Sequence, residues 1–252
     1  MTVGFRVSAG VLGEFLDAMQ AVVAEAKCTF DSDEGLSARA VDPANVAMVD
    51  ATVPADAFER LDADGATLGI NLERLAEVVG LAPDAEAAIV GTLDADSRKL
   101  AIAIPGAGVE FTLALIDPDT IRQEPDLPDL DLAATYVAAV DALDRGITAA
   151  DLCSDHLTLR GVDGDTFELT ADGDTDDVEV TLGPEELLDG RHEGDAPAAS
   201  FFSLDYLLDL RGPLPSDATV SLRVGDEMPA KLRYTTAAGV EVENMLAPRI
   251  EG

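Results

Sequence analysis

The sequence predicts an α+β fold of two similar domains, each with two helices on curved antiparallel β-sheets. Three observations carry this. Short runs of alternating apolar and polar residues recur along the 252 residues, with only four stretches of helical spacing between them; that mixture is the mark of antiparallel sheets carrying a few helices. The order of these elements repeats in the second half. Between the halves lies residues 116–131, Ile-Asp-Pro-Asp-Thr-Ile-Arg-Gln-Glu-Pro-Asp-Leu-Pro-Asp-Leu-Asp, with three of the thirteen prolines and no regular period. Proline lacks the N–H that a ladder or helix needs and pushes the preceding residue to extended geometry, so this stretch is predicted to be a long connector.

Residues 5–7 read as a strand, and Ser8 is a good N-cap for the apolar series Val11, Leu12, Phe15, Leu16, Met19, Val22 and Val23. The opposite face of that helix is Gly13, Asp17, Gln20 and Ala24, without a base. Strands follow at 28–30, 35–41 and 47–53, separated by Asp-Ser-Asp-Glu-Gly and Asp-Pro-Ala-Asn turns. The pattern restarts with a strand at 67–70 and with Asn71 capping a helix whose apolar side is Leu72, Leu75, Val78 and Val79. Strands at 88–93, 99–104 and 109–115 close the first half. After the connector come a strand at 135–140 and a helix at 144–152 with Leu143, Ile147 and Ala150 inward. Strands at 156–160, 166–170, 178–182 and 200–202 precede Ser203, the predicted cap of Leu204, Leu207 and Leu208. Strands at 219–224, 231–235 and 240–246 finish the chain, and His192 reads as part of a polar turn.

The two halves align at a nearly constant offset. Ile-Asn-Leu-Glu-Arg-Leu at 70–75 matches Phe-Ser-Leu-Asp-Tyr-Leu at 202–207, 132 residues on, and Gly-Val-Glu at 108–110 matches 239–241, 131 residues on. The expected organisation is a domain at 1–116, a connector at 117–131 and a second domain at 132–252.

Charge is the compositional outlier: 50 acids against 16 bases, only three of them lysine, for a net charge of −34. A disordered acidic chain is poor in apolar residues, whereas this one is 47% hydrophobic. An acid-saturated surface on a folded protein suits a cytoplasm at molar salt, where the Debye length is about 3 Å. Cys28 and Cys153 are far apart and form no framework. Neither a signal peptide nor an apolar run of about 18 residues is present, so the expectation is a soluble, intracellular protein without a membrane partner.

Enzyme chemistry finds no support. His156 lacks a nucleophile and a third partner, and Asp-Gly-Asp-Thr-Asp-Asp at 172–177 lacks the glycine and glutamate of a calcium loop. Pro-Gly-Ala-Gly at 105–108 precedes neither a helix nor Gly-Lys-Ser/Thr, so it is a turn. No catalytic residue, metal ligand or cofactor is assigned.

The duplicated domain and its long connector resemble the DNA sliding clamps, and four motifs make the match specific. Leu-Ala-Pro-Arg-Ile-Glu at 246–251 resembles the family's LAPKIE ending, and Ala-Val-Asp-Pro-Ala-Asn-Val at 40–46 the archaeal central loop. Leu-Ala-Leu-Ile-Asp-Pro at 113–118 is similar to the entry of the interdomain connector, and Gly-Ile-Asn-Leu at 69–72 to the GVNL before the second helix. The chain is identified as a member of the proliferating cell nuclear antigen (PCNA) family, of the kind expected in a halophilic archaeon.

The resemblance implies a DNA-clamp fold assembled as a head-to-tail homotrimer, a six-domain ring around double-stranded DNA that gives the replicative polymerase its processivity. Subunits would meet through Val109, Phe111 and Leu113 of one copy and Val178, Val180 and Leu182 of the next. DNA polymerase, the clamp loader, flap endonuclease, DNA ligase and other proteins carrying a PCNA-interacting peptide would dock in a pocket of Val41, Val46, Met48, Leu127, Pro229, Met245 and Ala247. Gln20, Arg74, Arg145 and Arg211 would face the DNA channel. Here the sequence departs from the family: the lysine-rich lining is reduced to isolated arginines among acids, and solvent cations in the channel are the expected substitute. A different class of function, an acidic clamp-like adaptor or nucleic-acid mimic that binds partners without encircling DNA alone, is the alternative.

Overall fold

The computed structural model describes residues 3–94, 96–122, 130–194 and 198–249. It divides into two compact units, Met1–Val41 with Val49–Pro125 and Thr236–Val242, and Asp42–Met48 with Asp126–Thr235 and Glu243–Gly252. The elements of the first half are β1 (Val3–Ser8), α1 (Ala9–Gln20), β2 (Glu25–Asp31), β3 (Gly35–Val41), β4 (Ala47–Val53), β5 (Arg60–Ala63), β6 (Ala66–Asn71), α2 (Leu72–Val79), β7 (Ala88–Asp94), β8 (Lys99–Ile104) and β9 (Val109–Ala114). Those of the second are β10 (Ala134–Ala139), α3 (Val140–Ala150), β11 (His156–Asp163), β12 (Thr166–Asp172), β13 (Asp177–Leu182), β14 (Leu187–His192), β15 (Ala198–Ser203), α4 (Leu204–Arg211), β16 (Thr219–Val224), β17 (Ala230–Thr235) and β18 (Glu241–Leu246).

Strand pairing makes the duplication plain. In the first unit the neighbours run β5-β1-β7-β8-β9 and β4-β3-β2-β6; in the second they run β14-β10-β16-β17-β18 and β13-β12-β11-β15. Each strand of the first pattern is replaced by the strand nine later. The helix entries repeat as well. Ala9 N donates to Ala87 O at 2.8 Å and Val140 N to Ala218 O at 3.0 Å; Leu72 N donates to Ala24 O and Leu204 N to Asp155 O, both at 2.9 Å. Each bond satisfies one of the amides that a helix's first turn leaves without a partner.

These backbone bonds explain where the predicted helix boundaries fail. Ser8 and Asn71 do cap, accepting from Val11 N at 3.3 Å and Arg74 N at 2.7 Å. Ser203 holds the cap position of α4 but makes no capping hydrogen bond, and α3 has Ala139 there. The predicted helix at 144–152 in fact starts at Val140 and ends at Ala150, leaving Leu152 85% exposed. His192 lies in strand β14 rather than in a turn, and β5 is a strand the periodicity did not reveal.

The helices bury Leu12, Phe15, Leu16 and Met19 from α1, Leu72, Leu75 and Val78 from α2, and the matching Leu143, Ile147, Leu204, Leu207 and Leu210 from α3 and α4. Burying each such side chain contributes about 1.5–3 kcal/mol. In the connector, Asp117 accepts from Asp119 N at 3.1 Å and starts a single helical turn, Pro118–Thr120, where only extended chain was predicted. Ile121 then buries itself, at 7% exposure. Among the described residues no helix is long and apolar enough to cross a membrane.

Candidate functional site

The loop after β3 is built around one carboxylate. Asp42 is 5% exposed. Its Oδ1 accepts from Val46 N at 2.6 Å and Ala47 N at 2.8 Å, and its Oδ2 from Ala44 N at 2.9 Å and the Tyr206 hydroxyl at 3.0 Å. Burial pushes the Asp42 carboxyl up, but the Ala47, Ala44 and Val46 amides and the Tyr206 hydroxyl together hold it below the usual carboxylate range. The tyrosine responds oppositely: burial, the hydrogen bond to Asp42 and the charges of Asp42 and Asp209 raise its pKa.

Val46 is held from its other side too, since Ala247 N donates to Val46 O at 2.8 Å. The tail continues along β15, with Arg249 N donating to Phe201 O at 2.7 Å. The Arg249 guanidinium stands 2.7 Å from His156 Nε2, and the His156 ring stacks on Phe201 at 4.8 Å. Next to it, Ser200 fixes the turn that carries Pro229: its hydroxyl donates to Gly225 O at 3.0 Å and accepts from Met228 N at 2.9 Å. A cleft opens between Ala199–Phe201, Asp226, Glu227 and Pro248–Arg249.

Five of the seven residues assigned to the partner pocket by resemblance, Val46, Met48, Pro229, Met245 and Ala247, therefore belong to the second unit. Val46 and Ala247 are joined directly. Met48 is buried, at 4% exposure. Val41 clusters with the first unit. Leu127 lies outside the described residues. Sequence reasoning missed Asp42, Tyr206, Ser200 and His156 as organisers of this region. Only Asp42 left a signal, as the first residue of an Asp-Pro-Ala-Asn turn.

The helices' outer faces carry eight acids and three arginines. Arg74 pairs with Glu77 and lies 5.3 Å over the Phe111 ring; Arg145 pairs with Glu186 at 2.6 Å; Arg211 pairs with Asp144 and donates to Thr148 Oγ1 at 3.1 Å. Gln20 donates to Leu72 O at 3.1 Å and so links α1 to α2. Glu14 accepts from Ala238 N at 2.9 Å. Burial, and then the neighbouring Glu14, raise the Asp17 pKa. Exposed ion pairs of this kind add little stability, but they do neutralise the arginines locally.

Two strands end their sheets with one face of side chains outward: β9 in the first unit and β13 in the second. Their exposure patterns match. Val109 and Phe111, like Val178 and Val180, are half-exposed; Glu110, Thr112, Asp177, Glu179 and Thr181 are exposed. Leu113 and Leu182 are buried in their own units, at 3% and 0% exposure, so their side chains are not presented to a neighbour. Among the described residues no cluster of His, Cys, Asp or Glu is arranged to hold a metal ion. The acidic stretch at 172–177 is a hairpin turn closed by Gly173 N donating to Asp176 O at 3.0 Å.

Two units of one topology, a sheet-ending strand of matching exposure in each, and a cleft between β15, the turn at 226–227 and the returning tail define a subunit of a DNA sliding clamp. The family model described as proliferating cell nuclear antigen, N-terminal domain, matches residues 5–107. A DNA polymerase sliding clamp of Natronomonas pharaonis is 49% identical over 248 residues, and one of Halobacterium salinarum 51%, each covering 97% of both chains. Among solved structures, A. fulgidus PCNA bound to the C-terminal region of FEN-1 aligns at a TM-score of 0.89 and 32% identity over 99% of both chains. PCNA from Thermococcus kodakaraensis aligns at 0.88 and 26%, over 98% of this chain and 100% of that one. This chain belongs to the DNA polymerase sliding clamps, the PCNA family, on its haloarchaeal branch.

Proposed function

We propose that three copies close head to tail into a ring that encircles duplex DNA, tethers the replicative polymerase and docks replication and repair proteins, without catalysis of its own. The observation that carries this reading is the matched pair of outward strands, β9 and β13, one at the end of a sheet in each unit. An open edge invites uncontrolled pairing unless it is covered; β5, β6, β14 and β15 also end sheets, and a head-to-tail contact covers the β9 and β13 edges together when its rotation closes. Exposed Glu110, Asp177 and Glu179 put like charge on the two edges. Closure is therefore expected to need the screening of a molar-salt cytoplasm. Light scattering tests it: a trimer in about 2–3 M KCl that dissociates as salt is withdrawn. A monomer at micromolar concentration in high salt would count against the ring. The functional measurement is product length of the cognate polymerase on primed circles loaded by the clamp loader, which the protein should increase.

In the channel, arginines already paired with acids suit weak DNA contact. Hydrated cations between the acidic helices and the phosphates take the part that lysines play in other clamps. A ring holds DNA by enclosure, and at molar salt phosphate contacts are weak in any case, since log K falls with log salt by about 0.9 per neutralised phosphate. The loaded clamp should stay on circular DNA and leave quickly once the circle is cut. A tight, salt-resistant complex of the unloaded protein would refute this.

Partner proteins carrying a PCNA-interacting peptide, among them the polymerase, clamp loader, flap endonuclease and DNA ligase, are assigned to the groove formed by Val41, Val46, Met48, Leu127, Pro229, Met245 and Ala247. The bond between Val46 and Ala247 supports this assignment. Leu127→Asp should abolish peptide binding while the trimer persists; unchanged affinity would misplace the site.

A further inference from the structure

We propose that Asp42 and Tyr206 are positioning residues for partner docking: they hold residues 42–47 in the conformation that presents Val46 to the groove. The proposal rests on the docking reading above.

Three observations carry it. First, a carboxylate accepts through about four lone-pair directions, and Asp42 spends that capacity on three loop amides and one phenol. Such a centre fixes a loop far more tightly than a backbone turn does. Second, Asn45 at the tip of the loop takes the left-handed backbone, φ 59°, a conformation asparagine accepts in tight turns. Third, the anchor comes from far along the chain. Tyr206 is 164 residues from Asp42 and sits on α4, while the far side of Val46 is held by Ala247. The loop is thus pinned between a helix and the C-terminal tail.

Tyr206 is only partly buried, and a phenylalanine would keep its ring packing. What the hydroxyl adds is a fixed direction for the Asp42 carboxylate. Once that is lost, the loop samples other conformations, and a partner peptide must order it on binding. Ordering costs appear directly as lost affinity.

The test titrates a labelled synthetic peptide, with one aliphatic and two aromatic anchors, against the full-length protein in about 2–3 M KCl. Amide hydrogen exchange at Ala44, Val46 and Ala47 is followed in parallel. Asp42→Ala should weaken the peptide about tenfold or more and release protection at those three amides, as expected when hydrogen bonds to a charged group are lost. Asp42→Asn, which keeps one carbonyl acceptor, should recover part of the loss. Tyr206→Phe should weaken binding about two- to fivefold, with unchanged trimer mass, a small loss of thermal stability, and faster exchange at the three loop amides, which a merely structural residue away from the loop would not change. If Asp42→Ala fails to fold, Tyr206→Phe decides. Wild-type affinity and exchange in Tyr206→Phe overturn the proposal and leave the docking reading standing. A wild-type protein that ignores the peptide overturns both.

Discussion

In the first unit the chain leaving β9 returns onto a glycine; in the second the chain leaving β18 returns onto a phenylalanine. The bond is the same. Ile116 N donates to Gly69 O at 2.9 Å, and Arg249 N to Phe201 O at 2.7 Å, 132 and 133 residues further on. Over Gly69 the return lies so close that an added Cβ would stand 2.5 Å from Ile116 O. Over Phe201 it shares the strand with an aromatic ring, which stacks on His156, and a cleft remains beside it. The scaffold of the groove is therefore common to both copies. The first unit has a cleft at the equivalent place, lined by residues 67–69 and 116–119, so the two copies differ in the side chains that line it.

The contrast can be broken at its tightest point. Gly69→Val should destabilise the protein by about 2–3 kcal/mol, because neither β6 nor the return can move aside; denaturant unfolding at constant high salt measures it. At the equivalent position Phe201→Val should cost about 1 kcal/mol, since the ring is only partly buried and loses mainly its stacking. Equal costs would show that the two returns are equally tight. The caps offer the next contrast. Asn71→Ala removes a formed cap and should cost about 1 kcal/mol, whereas Ser203→Ala removes none and should stay within about 0.5 kcal/mol.

Acid separates the units through their carboxylates. Asp42 of the second unit has its pKa lowered by folding, so its contribution is present above the unfolded carboxylate value and is lost as pH falls through the folded one. Asp42→Asn should accordingly destabilise at neutral pH and lose that effect at the acid end of thermal melts. Asp17 of the first unit has its pKa raised, so its folded form favours the proton. The stability gained by binding it is complete below the unfolded value and disappears as pH rises through the folded one. Asp17→Asn should raise the melting temperature slightly at neutral pH, with no gain in acid. This is the smallest effect expected.

Much of the fold was legible. Strands β3, β4 and β8 fall at the residues that alternation and turn chemistry predicted, and the repeat offset anticipated the shared topology. What escaped had physical reasons. Strands β5 and β14 are short sheet edges reading Arg-Leu-Asp-Ala and Leu-Leu-Asp-Gly-Arg-His, whose polar residues mask alternation. Helix α3 begins early because the Ala218 carbonyl, 78 positions away, receives its first amide. The candidate site was assigned through family motifs rather than chemistry. Asp42 is one aspartate in a chain with 50 acidic residues, and its partner Tyr206 becomes visible only when the chain is folded.

The four main-chain bonds that start the helices bear on how such a protein can change over generations. Each joins an amide to a carbonyl, of Ala24, Ala87, Asp155 and Ala218, and none depends on what side chain those residues carry. Such a joint survives any substitution that keeps the main-chain N–H, so only proline at the donor removes it. Acids can replace other residues over the exterior while the points where helices meet their sheets keep the same bonds.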